Sequence, residues 1–252
     1  MFLDMGFNTT DPYRHRAFGL AVPTAFGLSL SGKLEEADLQ SRTLTISRGM
    51  AILLVVSYLA FILFQLRTHE GIYDAIFVED EYRDENRPVA LRMRRLTATE
   101  VAVALVISIG LIILISFILD DQISYLVLER HVSEAFVGLF LVPIVEKTAE
   151  HLGTISEANN NQMSIALSHV LGGTIQTALL SGPLIVLVGW GIDKPMGLDF
   201  NLFDMVVLML AVLAVGNFLR DQTSTYLQGV LSIILYVAIG VAALYYPNLG
   251  RG

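Results

Sequence analysis

The chain has 252 residues, of which 54% are hydrophobic and only 16% charged, and its mean hydropathy is +0.62; a soluble domain with a wet surface could hardly sustain that balance, so the class is a membrane protein. A net charge of −8 argues against a nucleic-acid partner, because phosphate binding needs a basic face and the one dense basic cluster is Arg92, Arg94 and Arg95. The absence of cysteine excludes disulfides and thiolate metal sites.

In chain order, residues 1–45 come first and differ from the rest. They lack the basic-then-apolar order of a secretory signal, and the sequon at Asn8-Thr9-Thr10 is a triplet that arises often by chance. Residues 18–30 are apolar but contain Pro23 and are too short to cross alone, so they read as the remnant of a preceding helix in a chain that starts in mid-fold. A transmembrane helix follows over 46–67, its uncharged run 49–66 opened by Arg48 and closed by Arg67, His69 and Glu70.

The connection 68–99 is polar, with Glu70, Asp74, Glu79, Asp80, Glu81, Asp84 and Glu85 ahead of the arginines. It is expected to form an amphipathic or partly ordered helix outside the membrane. Arg67, Arg83, Arg87, Arg92, Arg94 and Arg95 outweigh the basic residues flanking the opposite span ends, which predicts that this connection faces the cytosol.

Five more helices are predicted over 100–247. Residues 101–119 make a clear span between Glu100 and the Asp120-Asp121 pair. Residues 135–145 are apolar for only about half a membrane before Glu146, Lys147, Glu150 and His151. Residues 163–190 are long enough to cross but are interrupted by Gly172-Gly173 and Gly182-Pro183. Residues 205–219, extended upstream by 198–203, and 227–246 complete the set. Short or Gly/Pro-interrupted apolar segments point to the binding site of a transporter, so the third and fourth segments of this chain carry the functional information.

On a helix over 135–155, Glu146 and Glu150 share one face, Lys147 and His151 a neighbouring one, and Lys147 lies three residues before Glu150. Within a bilayer each such charge costs a few kcal/mol unless it is paired or faces a wet cavity. The competing helix, 123–145, leaves these charges in solvent but buries Glu129, Arg130 and His131 instead. An intramembrane carboxylate binds a cation or a proton but rarely both, and that exclusivity is the core of antiport. Glu150 is the choice for that role, with Glu146 beside it. Hard cations want oxygen ligands. Thr174 and Gln176 follow the Gly172-Gly173 break, where unwound backbone is expected to add carbonyls, and Glu150 with Gln176 form the candidate metal ligands. Gln176 alternatively makes an interhelical hydrogen bond, and His151 either relays protons or makes a structural one. His169 reads as packing and Asp204 as a solvated helix end.

Pro143-Ile144-Val145, Ala149-Glu150-His151, Gly172-Gly173-Thr174-Ile175-Gln176, Gly189-Trp190 and Asp199-Phe200-Asn201-Leu202-Phe203 occur in an order that resembles the C-terminal repeat of the cation/proton exchangers, within the calcium/cation antiporter superfamily. Ser47-Arg48-Gly49 and the run Phe64-Gln65-Leu66-Arg67-Thr68-His69 resemble the sixth helix of that family. The resemblance implies an all-α polytopic fold with six transmembrane helices here, the sixth helix plus the second inverted repeat of an eleven-helix exchanger. It implies an ion site that pairs an acidic motif from each repeat, of which this chain holds the one ending in Glu150-His151. Half a site implies a fragmentary product, a missing partner or a nonfunctional remnant. In one place the sequence departs from the family: Glu146-Lys147 stands where Gly-Asn is usual. A fixed ammonium repels a divalent ion more than a monovalent one, and the substitution resembles the fungal branch of vacuolar sodium or potassium/proton antiporters.

The resulting expectation is a secondary active transporter, not an enzyme, in a vacuolar or other endomembrane. It would move Na+, K+ or Ca2+ from the cytosol against protons, with Lys147 tuning charge and with helix breaks at Gly172, Gly173 and Pro183. Its partners would be the lipid bilayer, cations and protons, and an N-terminal exchanger half or further copies of itself; no cofactor is expected. The alternative is a truncated or non-transporting membrane subunit that associates with another exchanger half.

Overall fold

The computed structural model describes residues 12–68, 70–83, 97–220 and 225–248. The sequon at Asn8, His69, and Asp84, Glu85, Arg87, Arg92, Arg94 and Arg95 of the connection lie outside the described residues. Among the described residues all regular structure is helical: α1 (Pro12–Leu30), α2 (Glu36–Leu63), α3 (Glu70–Arg83), α4 (Ala98–Leu128), α5 (Val142–Asn159), α6 (Met163–Gln176), α7 (Gly182–Gly191), α8 (Leu202–Arg220) and α9 (Tyr226–Leu244). Single π-helical turns, Phe64–Thr68, Val137–Leu141 and Thr177–Ser181, extend α2, precede α5 and join α6 to α7, and a three-residue helical segment, Glu134–Phe136, leads into the second of them.

Five stretches are long and apolar enough to cross a bilayer: Ala37–Thr68, Ala98–Leu128, Met163–Gly191, Leu202–Arg220 and Tyr226–Leu244. The chain is a polytopic α-helical membrane protein. The helix expected as a sixth span over 135–155, which in the structure runs from Glu134 through Asn159, is not among the five by composition, because Glu146, Lys147, Glu150 and Glu157 dilute its apolar content.

Several boundaries differ from the sequence expectation. The helix that carries the first span begins at Glu36, ahead of the span expected over 46–67. Between Glu35 and Gly49 no helix breaker intervenes, and Arg42 pairs with Asp38 one turn away at 3.0 Å, so the polar stretch continues the helix. The competing helix over 123–145 does not form. α4 ends at Leu128, and His131 takes a left-handed conformation (φ 55°) in the connection that follows. At the other end of α4 Thr97 and Glu100 form a reciprocal capping box.

The chain divides into two compact units, one comprising Met1–Asp80 with Met163–Leu235, the other Glu81–Gln162 with Tyr236–Gly252. In the first unit, Ala51 and Leu54 of α2 pack with Ile175 of α6, Leu179 of the π turn, Val186 of α7 and Leu198. Ala51 is fully buried, and its small side chain lets the backbones approach, as is common between membrane helices. Residues 198–201, expected to extend the next span, stay outside the helix; Leu198 enters this core instead, and the Phe200 N–H donates to Thr24 Oγ1 of α1 at 2.9 Å.

In the second unit, Tyr236 Oη donates to the Phe140 carbonyl at 3.0 Å, and the rings of Phe136, Phe140 and Tyr236 stack in series with centroids 5.2 and 5.0 Å apart. Gly240 lies against the Phe140 ring, in space a Cβ would need. Asn248 Oδ1 accepts from the Glu134 N–H at 2.8 Å while its Nδ2 donates to the Val132 carbonyl, bracketing the start of the acidic segment. α4 contrasts with this: residues 98–122 are exposed throughout, as an apolar helix that faces lipid would be.

Candidate ion-handling site

The two segments singled out in the sequence share a backbone device. In each a π turn leads into an α-helix whose second residue is proline: Val137–Leu141 before Pro143, and Thr177–Ser181 before Pro183. A proline ring collides with the carbonyl four residues back and offers no N–H to it. In both turns the hydrogen bond runs five residues back instead, Val142 N–H to the Val137 carbonyl and Gly182 N–H to the Thr177 carbonyl. The wider turn absorbs the proline without ending the helix, a local deviation found often at functional sites.

This corrects one expectation. The backbone does not unwind at Gly172-Gly173: α6 continues through both glycines to Gln176, and the departure from α geometry comes after it. Within a helix each residue's N–H and C=O stay paired, and that pairing is stronger than the permissiveness of two glycines. Thr174 Oγ1 donates to the Val170 carbonyl at 2.9 Å, so the hydroxyl serves its own helix. Gln176 is exposed at the junction with the π turn.

On α5 the ionisable side chains meet as the spacing predicts. Lys147 Nζ lies 3.1 Å from Glu150 Oε1 and 3.6 Å from Glu146 Oε1, so one ammonium bridges two carboxylates. Lys147 is the more covered partner, with 26% of its side chain exposed against 56% for Glu150 and 60% for Glu146. His151 follows on the same exposed stretch. The Thr148 hydroxyl donates to the Ile144 carbonyl, and Thr154 Oγ1 donates to the Glu150 carbonyl at 2.7 Å. Both hydroxyls are thereby turned onto the helix, leaving the carboxylates as the outward-facing oxygens. Such a helix presents two anionic groups and one fixed cation, a combination that can exchange its own ammonium for a diffusible cation or proton.

Glu146, Lys147, Glu150 and His151 thus stand together in one unit, whereas Thr174, Gln176, Gly172, Gly173 and Pro183 belong to the other. Among the described residues no group of three or more His, Asp or Glu side chains is placed to hold a metal ion.

Sequence reasoning missed four features. Asp80 is 3% exposed and accepts two backbone hydrogen bonds at the start of α6. Nothing in an acidic run marks a member that turns inward. Arg48 lies over the Trp190 ring, 5.2 Å from its centroid, a cation–π contact between two of the resemblance motifs. Ser47 is fully buried, and its Oγ with the Asp199 carboxylate crowds Gly197, where any side chain would collide. Asp204, read as a solvated end, is half-buried, with Oδ1 enclosed and without a partner among the described residues.

Comparison with known proteins agrees with this architecture. Residues 100–245 match the model of the family described as sodium/calcium exchanger protein. The vacuolar calcium ion transporter of Schizosaccharomyces pombe is 31% identical over 91% of this chain and 53% of its own length. The Ca(2+)/H(+) antiporter of Synechocystis is 29% identical over 91% of this chain and 62% of its own. Vacuolar cation/proton exchanger 1 of Arabidopsis thaliana is 31% identical over 87% and 47%. The chain therefore spans about half the length of the curated relatives it matches. The solved structure of native YfkE shares the fold, with a TM-score of 0.65 at 22% identity over 93% of this chain and 64% of that one. With the family model matching more than half of its length, on the helices just described, this chain belongs to the sodium/calcium exchanger family.

Proposed function

We propose that this chain is the C-terminal half of a cation/proton antiporter that carries a cation from the cytosol into an acidic organelle, a vacuole above all, in exchange for protons. The observation that carries the reading is the Glu146–Lys147–Glu150 cluster on a helix flanked by apolar spans. Support comes also from relatives whose names include vacuolar cation/proton exchange and Ca(2+)/H(+) antiport. In this reading the helix from Glu134 to Asn159 is the sixth membrane-crossing helix. The cluster is tolerable there because its charges neutralise one another or face a wet cavity. Glu150 alternates between cation and proton, and Glu146 and His151 share the proton traffic, while Gln176 and Thr174 of the other unit are neutral oxygen donors that the family resemblance adds to the reading.

Lys147 favours monovalent cargo. At any given distance the repulsion between its ammonium and a divalent ion is twice that for Na+ or K+, and the ammonium already stands 3.1 Å from the carboxylate that the cargo must engage. The test is proton-gradient-driven cation uptake into vesicles. Wild-type chain is expected to take up Na+ or K+ in preference to Ca2+, and Glu150→Gln is expected to reduce uptake to background; equal flux in the two proteins removes Glu150 from the mechanism.

A second reading rests on the share of its relatives that the chain spans, about half. It makes the chain a membrane subunit that transports only in company with an N-terminal exchanger half or another copy. Reconstitution with and without a separately expressed N-terminal half separates the two. Silence alone and flux on mixing support the subunit; robust flux from the single chain overturns it.

A further inference from the structure

The connection that follows α2 is exposed and acidic along most of its described length, yet one carboxylate in it is buried. Asp80 is 3% exposed, while Glu70, Asp74, Glu79 and Glu81 around it are exposed. Its Oδ2 accepts from the backbone N–H of Ser164 at 2.7 Å and of Ile165 at 3.0 Å, the second and third residues of α6. The first-turn N–H groups of a helix have no partner within it and carry the positive end of its dipole. A carboxylate from elsewhere in the chain therefore caps α6, a role usually filled by the residue just before a helix.

The same stretch of chain also holds the other end of α6. α2 packs on the π turn that follows α6, and its Ala51 and Leu54 share one buried cluster with Ile175 and Leu179. The chain then leaves α2 through the π turn Phe64–Thr68 and returns along α3 to Ser164. Ser164 and Ile175 are separated by about 16 Å of helix at 1.5 Å per residue. One continuous stretch thus holds α6 at its first turn and holds the π turn that follows Gln176, and the hydrogen-bonded helix between the two contacts can transmit an axial displacement.

We propose that Asp80 is a positioning residue: by capping α6 it lets the acidic connection set the axial placement of the helix bearing Thr174 and Gln176, so that withdrawal of α3 loosens the π turn beyond it. The functional meaning rests on the antiport reading, but the mechanical coupling does not. Any event that lifts α3 away would then act on α6 through the Asp80 contact.

The test is hydrogen–deuterium exchange on the full chain in lipid nanodiscs, comparing wild type, Asp80→Ala and Asp80→Asn. Loss of a cap of this kind is expected to speed exchange of the first-turn amides of α6 about tenfold. The proposal further expects faster exchange over residues 175–181, with Asp80→Asn close to wild type because an amide oxygen still accepts. Faster exchange confined to the first turn, or none, overturns it, since a merely local cap would not reach the π turn. Should Asp80→Ala fail to accumulate in the membrane, Ser164→Pro removes one of the two donors at a first-turn position where proline is tolerated. The same criterion then applies, with deprotection of 175–181 supporting the coupling and its absence overturning it. Exchange is read without any transport, so failure of the antiport reading would leave the outcome intact.

Discussion

The acidic helix α5 and the apolar pair α6–α7 begin from one solution to one problem, a proline inside a long helix, and then diverge. In both, a π turn absorbs the proline. Beyond Pro143 the helix fills with Glu146, Lys147, Glu150 and His151 and stays exposed on the chain. Around Pro183, which is itself fully buried, Ile175, Leu179 and Val186 join a core with α2. The same backbone device therefore serves two ends. In the first it delivers charge without unfolding the helix. In the second it bends nothing that packing does not hold. Stability is drawn from the apolar pair, and under the antiport proposal chemistry is drawn from the helix that contributes little to the core.

That division is open to attack from both sides. The largest effect is expected from Glu150→Gln, which should abolish coupled uptake while leaving the thermal midpoint in detergent unchanged; a large fall in the midpoint would make α5 a structural element. Next, Ala51→Leu should overpack the contact of α2 with α6 and α7 and cost about 1–3 kcal/mol, read as a lowered unfolding midpoint. Cation selectivity should be unaltered, and a selectivity change would mean that the two regions are not separable. Lys147→Asn removes the fixed ammonium and should raise uptake of Ca2+ relative to Na+ about tenfold, a shift of about 1.4 kcal/mol. An unchanged ratio would detach Lys147 from ion choice. The smallest effect is expected from Tyr236→Phe, which deletes the bond to the Phe140 carbonyl at the π turn ahead of α5. It should cost about 1 kcal/mol and sharpen the comparison by showing how much of that turn is held from outside.

Legibility in the sequence followed the same line. The uncharged runs at 49–66 and 101–119 announced their helices because hydrocarbon demands about 20 apolar residues at helical rise, and the three-residue spacing of Lys147 and Glu150 matches the ion pair that forms between them. Gly172-Gly173 misled, since two flexible residues permit an opening without requiring one. The start of α2 at Glu36 was hidden because its first turns are polar, and hydropathy reports where lipid begins rather than where a helix does.

By itself, then, the sequence determined that this is a helical membrane protein, where most spans lie, and which helix concentrates the charge. Those are properties of local composition and period, readable one segment at a time. Tertiary structure alone decided that Asp80, among the described carboxylates of its run, turns inward to cap α6, that Arg48 finds Trp190, and that Tyr236 and Asn248 hold the approach to the acidic helix. Each of these joins residues distant in the chain. Their pairing is fixed by which helix faces meet, a quantity that no window along the sequence contains.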